Sequence, residues 1–354
     1  MRSGCASFAP RSAQNLSSLV LAIETSCDET AIAVLRGREL LASEIASQVA
    51  AHQPYGGVVP EVASRHHLQR APQLLARAVA AGGISLGEVD AFAATSGPGL
   101  ASSLMIGASL AKGLALGFGK PYLAINHLEG HLLSPFFGSE SGIESNMSLI
   151  VSGGHTLLVE VDEVGDYRII GRTVDDAAGE AFDKVAKMLG LAYPGGPEIE
   201  RCARGGDPAR FDLPRGMINS GDADFSFSGL KTAVRYLLPK LQRAPGSVDG
   251  ARDDRDLCAS FQRAVVDVLV TKTIDAAHMA GRKLITVSGG VSCNGELRRQ
   301  MSLAAERTGL ELRFAAPTLC TDNAAMIGFA AQLRLERGEF TPLPTEINPN
   351  LALA

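Results

Sequence analysis

Short apolar runs flank a polar turn at two places in the chain. Leu19 to Ile23 and Ala31 to Leu35 enclose ETSCDET, and Leu149 to Ser152 and Leu157 to Val161 enclose GGHT. Apolar runs joined by a short polar turn, here containing glycine in the second case, are typical of β-hairpins. The pattern therefore predicts one hairpin in each half of the chain.

A strand, a glycine turn and a helix are predicted further along each half, in DAFAATSGPGLASSLMIG and in KLITVSGGVSCNGELRRQM. The same module thus occurs twice, which predicts an α/β fold of two similar lobes with a cleft between them. We predict the first lobe at residues 19–140 and the second at 141–354. The join lies in the polar, Gly/Ser-rich stretch near residues 136–147, and a C-terminal helix near 322–338 can pack back on the first lobe.

Residues 1–18 are rich in serine and alanine and are expected to form a disordered N-terminal extension. Arg2 and Arg11 without an acidic residue before Glu24 fit an organelle transit peptide or a ragged bacterial N-terminus. The apolar stretch from Leu100 to Gly119 contains serines, glycines and Lys112, which predicts a buried helix and not a membrane span.

Composition excludes several classes of protein. The chain has 354 residues, 46% of them hydrophobic, enough for a large core and two domains. The six cysteines include no C-x-x-C pair, which argues for reduced thiols and against a cysteine zinc site. A net charge of −5 means that any nucleic acid must bind to local positive charge. The candidate positive patches are the basic residues at 65–70 and at 298–299. The alternative interpretation is that these residues form solvated helix faces.

The segment NHLEGH carries the clearest chemical signal. His127 and His131 are four residues apart, so on a helix they project from one face and can hold one metal ion. A zinc protease of the H-E-x-x-H type is excluded because Leu128 follows the first histidine. Asp322 is a candidate third ligand. The other interpretation of Asp322 is the N-cap of the helix that follows it.

Other segments indicate a ligand in the cleft. Four glycine-containing or polar turns could bind phosphate through backbone N–H groups, namely residues 25–29, 96–99, 152–155 and 288–294. Asp175 and Asp176 begin the segment DDAAGEAFDKVAKMLGL, and one interpretation is that their charges stabilise the N-terminus of a helix. The other interpretation is that the segment leads into a ligand site that includes Asp183 and Glu200. The segment FSFSGLKTAV is either a packed corner or a lid.

Ten segments in one order resemble a single family. They are IETSCDET, YGGVVPEVASRHH, SGPGL, NHLEGH, SGGHT, DDAAGEAFDK, YPGGP, FSFSGLKT, SGGVSCN and DNAAMIG. The family is that of the tRNA N6-adenosine threonylcarbamoyltransferases, formerly misnamed O-sialoglycoprotein endopeptidases, in the actin/Hsp70/sugar-kinase superfamily. The resemblance covers nearly the whole chain, from about Leu19 to Gly328.

The resemblance implies an acyltransferase that moves a threonylcarbamoyl group from threonylcarbamoyl-AMP to N6 of adenosine 37, in tRNAs that read codons beginning with A. It implies that His127, His131 and Asp322 are the ligands of one divalent metal ion, with Fe²⁺ favoured over Zn²⁺. The positions implied to contact the adenylate are Ile150, Val151, Ser152, Gly153, Gly154, Asp183, Gly196, Glu200 and Asn294.

Partners and compartment also follow from the resemblance. It implies tRNA as substrate, a paralogous subunit and a small ATPase as protein partners, and no membrane. Bacterial cytoplasm is expected, with the mitochondrion as the alternative. The competing function is an ATP-dependent phosphotransferase or ATPase of the same superfamily, which needs a carboxylate base and Mg²⁺ and has no use for NHLEGH.

Overall fold

The computed structural model describes residues 18–139, 142–241 and 248–353. The predicted N-terminal extension, except Ser18, lies outside these residues, and so do Glu140 and Ser141 of the predicted join. Strands β1 to β10 span Leu19–Glu24, Glu29–Arg36, Glu39–Ser47, Ala91–Gly97, Tyr122–Asn126, Asn146–Val151, Thr156–Glu163, Asp166–Arg172, Leu284–Ser288 and Glu311–Phe314. Helices α1 to α11 span Val49–His52, Pro60–Ala81, Ala101–Phe118, His127–Leu133, Ala178–Leu189, Gly195–Ala203, Ser228–Leu237, Val248–Met279, Gly295–Thr308, Pro317–Cys320 and Ala324–Glu336.

The described residues form two five-stranded sheets of the same topology. Their strand orders are β3-β2-β1-β4-β5 and β8-β7-β6-β9-β10. In each sheet the first three strands in sequence pair antiparallel. The fourth strand pairs parallel with the first, and the fifth pairs parallel with the fourth. Both predicted hairpins are confirmed: Ala22 pairs with Ala33 in β1 and β2, and Leu149 pairs with Leu158 in β6 and β7. The predicted α/β fold with a repeated module is therefore confirmed.

Side chains alternate between the two faces of the first sheet. Leu21 and Ile32 face α2 and α3, whereas Ala22 and Ala33 face α11. Because both faces are covered, β1 is buried along its whole length. Gly328 allows the close packing of α11, since an added Cβ would lie 2.3 Å from Leu35 Cδ1.

The C-terminal part of the chain returns to the first sheet. Beyond α11, the Thr341 N–H donates to the Tyr122 carbonyl at 2.9 Å, and the Asn348 N–H donates to the Ser96 carbonyl at 2.8 Å. The division at residues 140 and 141 stays a prediction. On these contacts we propose that residues 324–353 belong with the first lobe.

Helix α3 differs from its prediction. The sequence predicts a buried helix, but only 33% of the residues of Ala101–Phe118 are buried, although its length and composition alone would suffice for a membrane span. Its inner face packs against β1 and β4, and an added Cβ on Gly107 would lie 2.4 Å from Oγ1 of Thr25, the residue that follows β1. Its outer face exposes Met105 and Leu116. The helix is thus one layer of a sheet–helix core with an uncovered apolar side.

Helix α4 lies between the two sheets, and its seven residues are all buried. Leu128 and Leu132 pack against the second sheet in one apolar cluster. Glu129, which has no solvent exposure, accepts a hydrogen bond of 2.9 Å from the Tyr167 hydroxyl of β8. It also pairs with Arg334 of α11 at 2.8 Å. Glu129 therefore joins an element of each lobe.

Glu129→Ala is expected to lower the free energy of unfolding by about 1.5–3 kcal/mol, because Tyr167 and Arg334, which are both partly buried, lose their hydrogen-bond partner. Urea unfolding followed by circular dichroism measures the change. The control is Glu296→Ala, whose partner Arg299 is 55% exposed and whose loss should cost less than about 1 kcal/mol. Equal losses in the two variants would contradict the structural role of Glu129.

Candidate functional site

The predicted histidine pair lies on α4, which begins directly after β5. Asn126 caps the helix by accepting the Leu128 N–H at 2.9 Å. One helical turn brings the rings of His127 and His131 to a centroid separation of 4.8 Å at an interplanar angle of 88°. Gly130 keeps the helix close to α11, since an added Cβ would lie 2.9 Å from Ile327 Cδ1. The local sequence thus places both imidazoles against the start of α11.

Asp322 joins the two histidines and is not a helix cap. The N-cap of α11 is Asn323, whose Oδ1 accepts the Met326 N–H at 2.9 Å, so the N-cap interpretation of Asp322 is wrong. Asp322 Oδ1 instead lies 3.1 Å from His131 Nε2 and 3.4 Å from His127 Nε2. Its side chain is 22% exposed, whereas those of His127 and His131 are 6% and 0% exposed.

The donor set fits a divalent metal ion. The two imidazole nitrogens and the carboxylate oxygen lie within 4.8 Å of one another. An ion bonded to each at about 2.0–2.2 Å draws such atoms to roughly 3–3.5 Å, which needs only small side-chain movements. Two histidines and one carboxylate leave coordination positions open for a substrate. The partly exposed Asp322 marks the side from which a ligand can approach.

The electrostatics of the site favour charge separation in the absence of metal. Burial alone would lower the pKa of His127, but Asp322 and Glu24 flank its two nitrogens and raise its pKa well above the ordinary value. Burial alone would raise the pKa of Asp322, but His127 and the hydrogen bonds from both histidines hold it well below the ordinary value. Burial lowers the pKa of His131, which favours its neutral form.

The glycine turn implied to contact the adenylate follows β6. Ile150 and Val151 are buried, and the turn is closed by the Ser152 N–H, which donates to the His155 carbonyl at 2.8 Å. A Cβ added to Gly153 or Gly154 would meet no protein atom within 4 Å. The backbone of the turn therefore faces open space, as a phosphate-binding turn requires.

The other implied contact residues each support a turn. Asp183 accepts the Gly195 N–H at 2.6 Å, and Glu200 accepts the Gly295 N–H at 3.0 Å. Asn294 caps α9 and donates to the Gln262 side chain at 2.9 Å. A Cβ added to Gly196 would meet nothing within 4 Å. Their contacts with an adenylate stay predictions.

Asp175 and Asp176 bind neighbouring segments and do not cap α5. Asp175 accepts hydrogen bonds from the hydroxyl groups of Ser226 and Ser228 and from the Phe227 N–H. Asp176 pairs with Lys184 at 2.7 Å and with Lys231 at 2.9 Å. Because Phe225 and Phe227 are buried, FSFSGLKTAV is a packed corner in this structure.

The sequence analysis does not connect three polar side chains with the metal site, although Glu29 and His155 lie in two of the turns considered for phosphate. Glu24 bonds to His127. Burial and the two neighbouring histidines lower the pKa of His155 to about 4. Burial and Asp28 raise the pKa of Glu29 to about 9. All three lie in the segments IETSCDET and SGGHT, but no spacing rule connects either segment with NHLEGH.

The charge on His127 predicts how the stability of the metal-free protein depends on pH. Its folded pKa lies above its ordinary 6.5, so its contribution is complete below pH 6.5 and is lost as pH rises through the folded value. The pKa of Asp322 is below 3.8, so its contribution is present above pH 3.8 and is lost on acidification. In chelator, His127→Gln should therefore cost most stability between these pH values and less at alkaline pH. Urea unfolding at several pH values tests this, and a cost independent of pH would contradict it.

The chain is similar to a family of known proteins over most of its length. Residues 39–329 match the family described as tRNA N6-adenosine threonylcarbamoyltransferase. A Burkholderia thailandensis protein of that name is 52% identical over 323 residues, which cover 90% of this chain and 93% of that protein. The Chromobacterium violaceum protein of the same name is 50% identical, covering 91% of this chain and 94% of that protein.

Two solved structures have a similar fold at low identity. The activator of 2-hydroxyisocaproyl-CoA dehydratase from Clostridium difficile has a TM-score of 0.50 at 13% identity, covering 92% of this chain and 99% of that one. HypF from T. kodakarensis has a TM-score of 0.61 at 15% identity, covering 91% of this chain and 48% of that one. These likenesses concern the fold alone, whereas the match over residues 39–329 and the close relatives show that the chain belongs to the tRNA N6-adenosine threonylcarbamoyltransferase family.

Proposed function

We propose that the chain transfers the threonylcarbamoyl group of threonylcarbamoyl-AMP to N6 of adenosine 37, in tRNAs that read codons beginning with A. The observation that carries the proposal is the convergence of His127, His131 and Asp322 between the two sheets. A phosphotransferase has no need of such a centre, because its Mg²⁺ is held by carboxylate and phosphate oxygens.

The adenylate is proposed to lie along the open turns of the second lobe. The N–H groups of Gly153 and Gly154 are proposed to bind the phosphate. Ile150, Val151 and the hydroxyl group of Ser152, which precede these glycines in the chain, are proposed to contact the adenylate beside it. Asp183, Gly196, Glu200 and Asn294 are proposed to contact the nucleoside. Since the donor is a mixed anhydride with AMP as leaving group, orientation and charge stabilisation are the main tasks of these residues.

The metal is proposed to be Fe²⁺, with Zn²⁺ as the second choice. Held by His127, His131 and Asp322, it would act as a Lewis acid on the bound donor. Metal analysis of protein purified without oxygen should find one iron per chain, and Asp322→Ala should abolish the binding while the circular dichroism spectrum is retained. One zinc per chain would instead assign that ion, and unchanged metal content in Asp322→Ala would contradict the centre.

The tRNA is proposed to dock on α2. His67 is buried and bonds to the Thr30 hydroxyl at 2.8 Å, but Arg65 and Arg70 are exposed. The second basic cluster is less suited, because Arg298 is bonded to backbone carbonyls and Arg299 is paired with Glu296.

A paralogous subunit and a small ATPase are proposed as protein partners, in bacterial cytoplasm. The exposed apolar side chains of α3 support a partner there: Met105 is 57% exposed and Leu116 72%. Large apolar side chains exposed along one helix are typical of an interaction surface.

His131→Ala is expected to reduce transfer at least about a hundred-fold, because the Lewis acid contributes several kcal/mol to the transition state. The assay contains unmodified tRNA, threonine, bicarbonate, ATP, an adenylate-forming enzyme and the partner proteins, and nucleoside mass spectrometry measures the product. The control is His278→Ala, an exposed histidine at the end of α8. A metal-free His131→Ala protein that still makes threonylcarbamoyladenosine contradicts the mechanism. ATP consumption without modified tRNA, independent of both histidines, favours the phosphotransferase.

Gly154→Ala should fold normally, since the added Cβ meets no protein atom within 4 Å. It should raise the KM for the adenylate at least about tenfold, because the added methyl group lies where the phosphate would approach the backbone and weakens one phosphate hydrogen bond by about 1.5 kcal/mol. The control is Gly87→Ala, which is equally free of contacts but lies in the short 3-10 helix Leu86–Glu88 before β4. An unchanged KM would place the phosphate elsewhere.

A further inference from the structure

Glu24 is a buried carboxylate behind the metal centre. It ends β1, has no solvent exposure, and lies on the side of His127 opposite Asp322. Its Oε2 is 3.1 Å from His127 Nδ1, while His127 Nε2 faces Asp322 at 3.4 Å. Glu24 therefore contacts the ring nitrogen that does not face the metal.

The surroundings of Glu24 make it an acceptor of hydrogen bonds. The Ser26 N–H donates to Oε1, and the Thr95 hydroxyl donates to Oε2 at 2.6 Å. The backbone N–H cannot reverse its role, so the ionised carboxylate satisfies this site best. Glu24 therefore keeps a proton on Nδ1 of His127, and Nε2, which faces Asp322, is the nitrogen that can give up its proton to bind a metal.

His131 lies in a different environment. Its Nε2 is 3.1 Å from Asp322 Oδ1, and its buried Nδ1 has no hydrogen-bond partner within the described part of the chain. Without metal, the proton is best placed on Nε2, where Asp322 accepts it. A metal bonded to Nε2 requires that this proton leave to solvent and that Nδ1 take one up, with no net change in charge.

We propose that Glu24 is a positioning residue that keeps a proton on Nδ1 of His127 and orients the ring, so that Nε2 is the nitrogen presented to the metal, whereas His131 has no such partner behind its ring. The inference rests on the proposed metal centre and extends it to the first strand. Carboxylates behind metal-bound histidines typically contribute a factor of about 10–100 to metal affinity.

Nitrogen-15 NMR of protein labelled at histidine tests the tautomers without any substitution. In the metal-free wild type at neutral pH, His127 should carry protons on both ring nitrogens, because a carboxylate faces each of them, and His131 should carry its proton on Nε2. Addition of Zn²⁺ should remove the proton on Nε2 of His127, keep the proton on Nδ1, and move the His131 proton to Nδ1. A Zn²⁺-bound His127 whose proton lies on Nε2 would overturn the proposal.

Glu24→Gln tests the contribution to affinity. Whichever way the amide is turned, its NH₂ group faces either the Ser26 N–H or the His127 N–H, so the site cannot be fully satisfied. Zn²⁺ affinity, measured by competition with a chromophoric chelator, should fall about 10–100-fold. Thr95→Val, which removes one donor to the same oxygen, should give a smaller loss.

The control is Glu160→Gln. Glu160 is a carboxylate on β7 of the second sheet that is 6% exposed and pairs with Arg282, and it does not contact His127. Its Zn²⁺ affinity should equal that of the wild type. Equal affinity in Glu24→Gln and wild type would overturn the role of Glu24 alone. Failure of the wild type to bind Zn²⁺ or Fe²⁺ would instead contradict the metal centre. If Glu24→Gln does not fold, the wild-type NMR spectra and the Zn²⁺ affinity of Thr95→Val test the proposal instead.

Discussion

The structure depends on one short helix that is buried and yet carries three ionisable side chains. All seven residues of α4 are buried, among them His127, Glu129 and His131. Buried charges are tolerated only when they are paired and hydrogen-bonded. The partners cannot come from α4 itself, so they come from surrounding elements of both halves of the chain. The proposed metal centre and the joint between the lobes are thus two results of the same requirement.

The partners of α4 are brought within reach by close helix packing. Helix α11 supplies Arg334 to Glu129 and is preceded by Asp322, which faces both histidines. This approach requires small residues, since a Cβ at Gly130 or Gly328 would overlap a neighbouring side chain. The segment 324–353 therefore brings Arg334 to the buried carboxylate of α4 where it returns to the first sheet. A larger residue at either glycine would disturb the ligand geometry as well as the core.

Local patterns could be predicted from the sequence, whereas contacts between distant segments could not. The hairpins follow from alternation within each strand pair, and the histidine pair follows from the spacing of a single helical turn. The contact of Glu24 with His127 joins residues 103 positions apart, and no period in the sequence encodes it. The sequence predicts α3 to be buried because the stretch is largely apolar, but hydrophobicity alone does not show that Met105 and Leu116 lie on a side that no other element covers. Asp322 could be read as a helix cap because the cap residue, Asn323, is its neighbour.

The unequal exposure of the three proposed ligands defines the direction of the chemistry. His131 is closed off and His127 nearly so, but Asp322 remains 22% exposed. A donor that reaches the metal must therefore arrive past Asp322. The SGGHT turn lies close by, since His127 and His131 act on the pKa of His155. A phosphate bound at Gly153 and Gly154 would hold the adenylate within the same open side of the cleft. A metal that acts as a Lewis acid needs protein ligands on one side and an open coordination position on the side of the substrate. The proposed site has this arrangement.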